Sequence, residues 1–470
     1  MTSSLFKKKD IAELLRYQSP LKKELTTFDL VFLGIGAIIG TGIFVLTGVG
    51  ALKAGPSLML SFVLAALCCL FAAFCYAEFA STVPISGSVY TYTYITLGEF
   101  LAFIIGWDLI LEYLLATATV SVGWSGYLVS FIEGIGIHLP QALTAAAGTY
   151  ANKTTFINLP AIFIIGVITL VIAMGIRQTK RVNNILVAIK VAIVLLFIVV
   201  TIWYVKPENW TPFAPFGFFT HSGGESVGIL PAASIVFFSY IGFDAISSSA
   251  EETVNPQKSI PRGILISLGI CTILYVIMTA IMTGVVYYPH FADYLAAPVS
   301  YVLQSVNQNW MAGIVNVGAI LGMTTVMIVM FYGQTRVAYA MSRDGLFPKI
   351  FSKINPKTDT PFTATLITGG ICALAGGFIN LNVLSELVNI GTLTAFFLVS
   401  IAVIILRKTQ PDLKRSFRAP FVPVLPIVAA LFCLMLIAGL QWQTWLRFLV
   451  WLLIGVAVYF LYARHHSKMK

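Results

Sequence analysis

Two clusters of glycine and small polar residues interrupt long apolar stretches of this chain. One covers residues 34–42 and the other residues 239–244. A helix that unwinds in an apolar environment exposes backbone N–H and C=O groups, which then need partners. Glycine permits unusual dihedral angles and a close approach to the backbone. We therefore expect each cluster to break a helix, with the first break marked by Gly34, Gly36, Gly40, Thr41 and Gly42, and the second by Ser239 and Gly242.

The ends of these broken helices predict a ligand that carries both charges. A half-helix that starts near Gly42 presents free N–H groups and a positive dipole end, which suit a carboxylate. Half-helices that end near Ile38 and Phe238 present free carbonyls, which suit an ammonium. Thr41 adds a hydroxyl. Small residues also serve plain helix packing, but two clusters at matching positions favour a binding site.

Few ionisable residues lie within the apolar stretches, and each is a functional candidate. Lys190 lies about seven residues into its stretch, roughly 10 Å deep at a rise of 1.5 Å per residue. Desolvation favours the neutral amine of a lysine, so Lys190 is predicted to exchange a proton as the protein functions. The alternative is a side chain that extends to the membrane interface.

Three further residues carry open alternatives. Asp108 and Glu112 lie four residues apart on one helix face. Glu112 either binds a substrate amine, carries a proton or accepts hydrogen bonds from a neighbouring helix. Asp244 either caps the second half-helix or lines the site. Met323 either forms the floor of a side-chain pocket or packs between helices.

The composition places these residues in a membrane protein. The chain has 470 residues, of which 58% are hydrophobic and 10% charged, and its mean hydropathy is +0.90. A soluble domain carries about 25% charged residues, and crossing a bilayer takes roughly 20 apolar residues in a helix. The apolar runs show no alternation of period two. They predict an all-α integral membrane protein with twelve spans at 28–53, 57–82, 96–129, 158–176, 183–205, 228–250, 262–288, 310–341, 361–379, 384–406, 422–440 and 444–463.

The two predicted breaks fall in the first and the sixth span, five spans apart. An odd number of spans inverts the second copy of a repeat, so spans 1–5 and 6–10 are predicted to form a five-plus-five inverted repeat. Broken helices at corresponding positions indicate the central site of a transporter. The predicted organisation is a tail at 1–27, repeats at 28–205 and 228–406, two further helices within 422–463 and a tail at 464–470.

The net charge of +10 follows the membrane topology. On the twelve-span scheme, 24 of the 29 Lys and Arg residues lie on one side, four on the other, and Lys190 lies inside a span. This asymmetry predicts that both termini are cytoplasmic. It favours anionic lipid over nucleic acid as the partner of the basic surface. Residues 1–27 lack the apolar core of a cleavable signal peptide.

Other classes of function find little support in the sequence. The six cysteines lie within spans, where they act as small apolar side chains, so we expect neither a metal nor another cofactor. An intramembrane enzyme would need a metal-binding or paired catalytic motif, and a channel would need rings of charge or a filter repeat. A sensor that binds an amino acid without moving it remains an alternative.

Several motifs resemble those of the amino acid–polyamine–organocation superfamily. One is the segment 27–44, with Gly36, Gly40, Thr41 and Gly42, and another is Tyr76-Ala77-Glu78 with the 84–90 segment after it. The segments 242–261 and 334–348 are similar to the cationic amino acid transporter branch, in a bacterial form. The resemblance covers nearly the whole chain.

The resemblance implies the five-plus-five fold and specific contacts. It implies that the substrate carboxylate binds at Thr41 and Gly42, and that the α-amino group binds the carbonyls of Ile38, Phe238 and Ile241. Phe238 would also be the gate over the substrate, and Lys190 would take the place of a sodium ion. We expect proton-coupled uptake of small neutral or cationic L-amino acids across the cell membrane. An exchanger or a sodium symporter on the same fold is the alternative, and an accessory membrane subunit is left open.

Overall fold

The computed structural model describes residues 7–9, 23–83, 88–149, 154–175, 180–222, 224–356, 358 and 360–468, with Ser88, Lys180, Ser248 and Glu251 described by their backbone alone. Most of the predicted N-terminal tail, the last two residues and the motif at 84–87 lie outside this set. The predictions made for them stay predictions.

The described chain is mostly helical. The α-helices are α1 Thr27–Ile38, α2 Thr47–Ala54, α3 Leu58–Thr82, α4 Ser88–Thr96, α5 Glu99–Gly134, α6 Leu159–Ala173, α7 Lys180–Thr201, α8 Ile229–Val236, α9 Ala245–Ser248, α10 Pro256–Val285, α11 Pro298–Ser305, α12 Asn309–Arg343, α13 Phe362–Phe378, α14 Leu381–Thr409, α15 Val424–Ala438, α16 Trp442–Val458 and α17 Arg464–His466. Segments Gly42–Leu46 and Tyr459–Ala463 are π-helical. Short 3₁₀ turns cover Gly55–Ser57, Gln141–Leu143, Ile202–Tyr204, Pro207–Trp210, Phe237–Tyr240, Ala250–Glu252, Tyr288–Asp293 and Lys349–Ser352. The strands β1 Thr220–Ser222 and β2 Glu225–Val227 form one antiparallel hairpin.

The helices have the length and composition of membrane spans. Among the described residues, eight helical stretches are long and apolar enough to cross a bilayer, and four shorter apolar helices accompany them. Each of the twelve predicted spans overlaps one of these helices. The fold is therefore a mostly helical membrane protein, as predicted, while the number of crossings stays a prediction.

Local sequence explains where the first helix begins. Thr26 and Asp29 form a capping box at the start of α1, in which the Thr26 N–H donates to the Asp29 carboxylate at 2.9 Å. A capping box satisfies two N–H groups that a helix start leaves free. The Asn184 side chain also donates to Asp29 at 3.0 Å. This contact joins α7 to the start of α1.

One predicted boundary needs correction, and several short elements were missed. The third span was predicted from residue 96, but α5 begins at Glu99, because Gly98 takes a left-handed φ of 95° that ends α4 and redirects the chain. The separate helices α4 and α11 and the hairpin of β1 and β2 were not predicted. Their sequences are short and mix polar with apolar residues, so they lack the long apolar run that marks a span.

The long helices pack in pairs around the two breaks. Helix α3 packs along α10, α5 along α12, and α6 against α13. Helices α5 and α12 contribute side chains to the same cavity as the breaks. The interior of the bundle thus places both broken segments between long, continuous helices.

Candidate functional site

The first break lies where it was predicted. Helix α1 ends at Ile38, Ile39 takes an extended conformation, and the helix resumes as a π-turn at Gly42. The first N–H groups of a helix have no partner within that helix. A Cβ on Gly42 would lie 2.3 Å from the Ser239 Cα, so only glycine fits at this position.

The second break faces the first. The 3₁₀ turn Phe237–Tyr240 ends at Ile241, which is extended, and Gly242 follows with a φ of 118°. A Cβ on Gly242 would lie 2.9 Å from the Ala37 Cβ. The two interrupted helices therefore touch through glycine on both sides, which brings their free backbone ends together.

One tyrosine connects the carbonyls of the two breaks. The Tyr275 hydroxyl of α10 lies 2.8 Å from the Ile38 carbonyl oxygen and 2.9 Å from the Ser239 carbonyl oxygen. A phenol has a single O–H donor. Tyr275 can therefore donate to only one of the two carbonyls at a time.

Lys190 of α7 binds the C-terminal end of α1. Its side chain is 1% exposed, and its Nζ donates to the carbonyls of Gly36 at 2.8 Å and Ile39 at 3.2 Å. It does not extend to an interface. A Cβ on Gly322 of α12 would lie 3.2 Å from the Lys190 Cε. The lysine therefore joins α7, the first break and α12.

A small cavity lies between the breaks. Its volume is about 10 Å³, roughly the space of one water molecule, so a bound amino acid requires its walls to move apart. The hydroxyls of Thr41 and of the adjoining Ser239 are buried and have no hydrogen-bond partner within the part of the chain that the structure describes. The cavity is lined by Ala37, Ile38, Gly40, Thr41, Gly42, Ala116, Val120, Phe238, Ile241, Val326 and Met330.

The structure brings together most of the predicted site residues. Ile38, Gly40, Thr41, Gly42, Phe238 and Ile241 line the cavity, and Ser239 packs against Gly42. Met323 is fully buried on α12 but does not line the cavity.

The three carboxyl groups lie behind the cavity wall. Glu112 lies one turn before Ala116 on α5, and Asp108 one turn further. The Asp244 side chain makes no capping hydrogen bond to α9, but accepts one from the Tyr113 hydroxyl at 2.9 Å. Both carboxylate oxygens of Asp108, one of Glu112 and one of Asp244 have no hydrogen-bond partner among the described residues. These groups form a buried polar layer next to the cavity.

Five lining residues were missed from the sequence: Ala37, Ala116, Val120, Val326 and Met330. Two pairs among them, on α5 and α12, are spaced four apart and so lie on one helix face. Such pairs occur throughout apolar helices, so the spacing could not single them out.

A larger groove of about 470 Å³ lies elsewhere, between α5, α7 and α12, and its lining side chains are all apolar. It offers nothing to bind the charged ends of an amino acid.

Comparison with known proteins identifies the family. The amino acid permease family model matches residues 25–463. The chain is 60% identical over 472 residues to the branched-chain amino acid permease BcaP of Bacillus subtilis (strain 168), covering 100% of both chains. It is 51% identical to the methylthioribose transporter of the same bacterium over 99% of each chain. The vacuolar cationic amino acid transporter 4 of Arabidopsis thaliana is 36% identical, covering 87% of this chain and 68% of that one. The chain therefore belongs to the amino acid permease family of membrane transporters.

Proposed function

We propose that this permease takes up a neutral aliphatic L-amino acid by alternating access, driven by a proton gradient. The observation that carries this proposal is the pair of facing helix breaks around an apolar cavity. The N–H groups at Gly42 would bind the substrate carboxylate with the Thr41 hydroxyl. The carbonyls at Ile38, Phe238 and Ile241 would bind its ammonium, and Phe238 would close over it.

The lining of the cavity favours a neutral substrate side chain. Ala116, Val120, Val326 and Met330 are apolar, and none of the lining residues is ionisable. A cationic side chain would need to reach Glu112, behind this wall. The 60% identity with a protein named as a branched-chain amino acid permease supports the same choice. Valine, leucine and isoleucine are thus the first substrates to test.

Lys190 is the proposed coupling residue. As an ammonium it donates to two carbonyls at the end of α1. A neutral amine donates more weakly, because charge-assisted hydrogen bonds are about twice as strong as neutral ones. Loss of the proton would therefore loosen the first break and let α1 move, which would link proton release to substrate release.

The packing of the helices supports an inverted repeat of residues 28–205 and 228–406. Such a repeat requires each contact between the halves to recur with the partners exchanged. The contact between α1 of the first half and α10 of the second half recurs as the contact between α8 of the second half and α3 of the first half. Helix α5 packs against α14, and α7 packs against α12. We propose twelve crossings of the cell membrane with both termini in the cytoplasm, which agrees with the charge asymmetry.

Uptake into proteoliposomes tests the proposal. An inward proton gradient should drive accumulation of radiolabelled L-leucine, and excess unlabelled leucine should compete. Methylthioribose and L-arginine are the informative competitors, since one lacks the zwitterion and the other has a cationic side chain. Accumulation of leucine that depends on sodium would contradict proton coupling, as would exchange of leucine at a rate independent of the proton gradient. Competition by methylthioribose with an affinity above that of leucine would contradict the substrate class.

A further inference from the structure

One buried carboxylate fixes the segment that joins α14 to α15. Glu78, near the end of α3, is 1% exposed, and its carboxylate accepts hydrogen bonds from Arg407 Nε at 2.9 Å and Nη2 at 2.6 Å. The backbone N–H of Ala419 donates to the same carboxylate at 2.8 Å. Glu78 therefore ties α3 to the last turn of α14 and to residues 410–423, which we call the α14–α15 loop.

A second arginine holds the loop from within. Arg415 lies 3.4 Å from the Glu78 carboxylate, and its side chain is 4% exposed. Its guanidinium donates to the carbonyls of Leu413 at 2.9 Å, Gln410 at 2.8 Å and Leu406 at 3.2 Å. These bonds use the fixed fork of donors that a guanidinium offers. The backbone of the loop is thus held in one conformation, which also fixes where its exposed side chains begin.

The positive charge of this region exceeds the negative charge. Glu78 and the exposed Asp412 face five basic residues, so an excess of three positive charges remains. Three of the five are exposed and form no ion pair with another described residue. The five are Arg407, Lys408, Lys414, Arg415 and Arg418, and the exposed three are Lys408, Lys414 and Arg418. The loop therefore offers an anion two or three unpaired cationic side chains on a fixed backbone.

An exposed apolar stripe runs up to this charged loop. Val424, Ile427 and Leu431 lie on one exposed face of α15 at helical spacing. Phe421 precedes them and is 84% exposed, and its carbonyl accepts from the Leu425 N–H at 3.1 Å, which extends the first turn of α15 back to Phe421. Its φ is 49°, a conformation that is unfavourable for a bulky residue. A large apolar ring thus stands beside Arg418, where the apolar helix face meets the basic loop.

We propose that the α14–α15 loop is a binding site for an anionic phospholipid. Lys414 and Arg418 bind the phosphate of the headgroup, and an acyl chain packs on Phe421 and Val424. Charge-assisted hydrogen bonds to phosphate are strong, and basic residues next to a membrane helix attract anionic lipid. A soluble anion would match the charge but would leave the ring of Phe421 exposed. This inference needs α15 to lie in the membrane, and it depends neither on the transported substrate nor on proton coupling.

Titration of the purified full chain with dioleoylphosphatidylglycerol, followed by native mass spectrometry, tests the site. Lys414→Gln with Arg418→Gln should weaken binding of the first lipid molecule roughly tenfold or more, because both contacts to the phosphate are lost. The matched control is Lys349→Gln with Lys353→Gln, at two exposed lysines after α12. The control should bind the lipid as the unchanged protein does. Undiminished binding by the first pair, or an equal loss in the control pair, would overturn the proposal.

Two further measurements separate a lipid from a soluble anion. Phe421→Ser should also weaken phosphatidylglycerol binding several-fold, whereas Phe156→Ser, at a phenylalanine that is 61% exposed, should not. Inorganic phosphate should displace the lipid no better than sodium chloride at equal ionic strength, which screens charges alike. Undiminished binding by Phe421→Ser would contradict the proposed lipid site. Specific displacement by inorganic phosphate would assign the loop to a soluble anion instead and overturn the proposal.

Discussion

At the residue scale, the carbonyls that end α1 are divided between two side chains. Lys190 binds those of Gly36 and Ile39, and Tyr275 lies against that of Ile38. A substrate ammonium would compete for the carbonyl that Tyr275 contacts. The Tyr275 hydroxyl has a second acceptor, the Ser239 carbonyl, to which it can turn. The end of α1 therefore has a donor that a ligand can displace without leaving a buried group unpaired.

Lys190→Met should abolish accumulation driven by a proton gradient and retain exchange of labelled for unlabelled leucine. The methionine keeps an unbranched side chain of similar length but neither binds a proton nor donates to the two carbonyls. Gradient-driven uptake and counterflow in proteoliposomes measure the two activities separately. Lys206→Ala, at an exposed lysine, should change neither. Full accumulation by Lys190→Met would exclude the coupling role.

Tyr275→Phe should strengthen leucine binding several-fold and lower stability slightly, because the substrate ammonium no longer competes with the Tyr275 hydroxyl for the Ile38 carbonyl. The change removes one hydrogen-bond donor, a group with a net contribution of about 1 kcal/mol, and leaves the ring packed against Tyr240. Titration of leucine binding and thermal unfolding measure the two effects. Tyr127→Phe is the control, because that hydroxyl donates to the Phe44 carbonyl, away from both carbonyls that Tyr275 contacts. An affinity of Tyr275→Phe no higher than that of Tyr127→Phe would argue against this competition.

Gly42→Ala should abolish leucine binding while Gly166→Ala should not. A Cβ at Gly42 meets the Ser239 backbone at 2.3 Å, whereas a Cβ at Gly166 has no neighbour within 4 Å. The first change must separate the two breaks, and the second adds a methyl group to an open face of α6. Binding is measured by calorimetry on the purified proteins. Undiminished affinity in Gly42→Ala would place the substrate elsewhere.

At the scale of the elements, the sequence predicted the breaks better than the cavity. Glycine in an apolar helix also serves packing, but two clusters at matching positions, residues 34–42 and 239–244, located both interruptions. The cavity walls come from α5 and α12, where Ala116 and Val326 do not differ from the many packing residues of the same helices. Met323 was chosen for its size, and it lies on the same face of α12 as Val326 and Met330, but it lies further along the helix axis, outside the cavity. The level at which a helix face meets the breaks depends on tertiary packing, which a single sequence does not specify.

The boundary between α4 and α5 likewise could not be predicted from the sequence. The predicted third span began near residue 96 because the hydropathy stays high across the junction. The left-handed φ of Gly98 divides this stretch into α4 and α5. A lone glycine in an apolar run does not reveal that conformation. Yet this division brings the Tyr94 hydroxyl of α4 to 2.8 Å from the Glu99 carboxylate at the start of α5.

Val326→Ala should extend the substrate range toward larger side chains. Val326 lines the cavity and lies close to Gly40, where a Cβ would approach its side chain to 3.0 Å. Removing two methyl groups enlarges the pocket, and a single methylene in such a pocket changes specificity by roughly tenfold or more. The ratio of kcat/KM for phenylalanine and valine measures the effect. An unchanged ratio would mean that α12 does not face the substrate side chain.

At the scale of the whole molecule, two sets of contacts act on α1 from opposite ends. Lys190 and Tyr275 bind its C-terminal carbonyls inside the bundle, and the N-terminal segment attaches before its first residue. Helix α1 is only 12 residues long, so a contact at either end restrains the whole helix. The proposed cycle therefore needs both ends of α1 to loosen, the C-terminal end through loss of a proton from Lys190.

The central claim is that facing half-helix ends bind both charged groups of a neutral amino acid. Calorimetric titration of the purified permease with L-leucine, leucinol, isocaproic acid and L-arginine tests it most directly. Leucinol lacks the carboxylate and isocaproic acid lacks the ammonium, while both keep the side chain. We predict that L-leucine binds and that the two analogues and arginine bind at least roughly tenfold more weakly, about 1.4 kcal/mol. Binding of leucinol or isocaproic acid as tight as that of leucine would contradict the account.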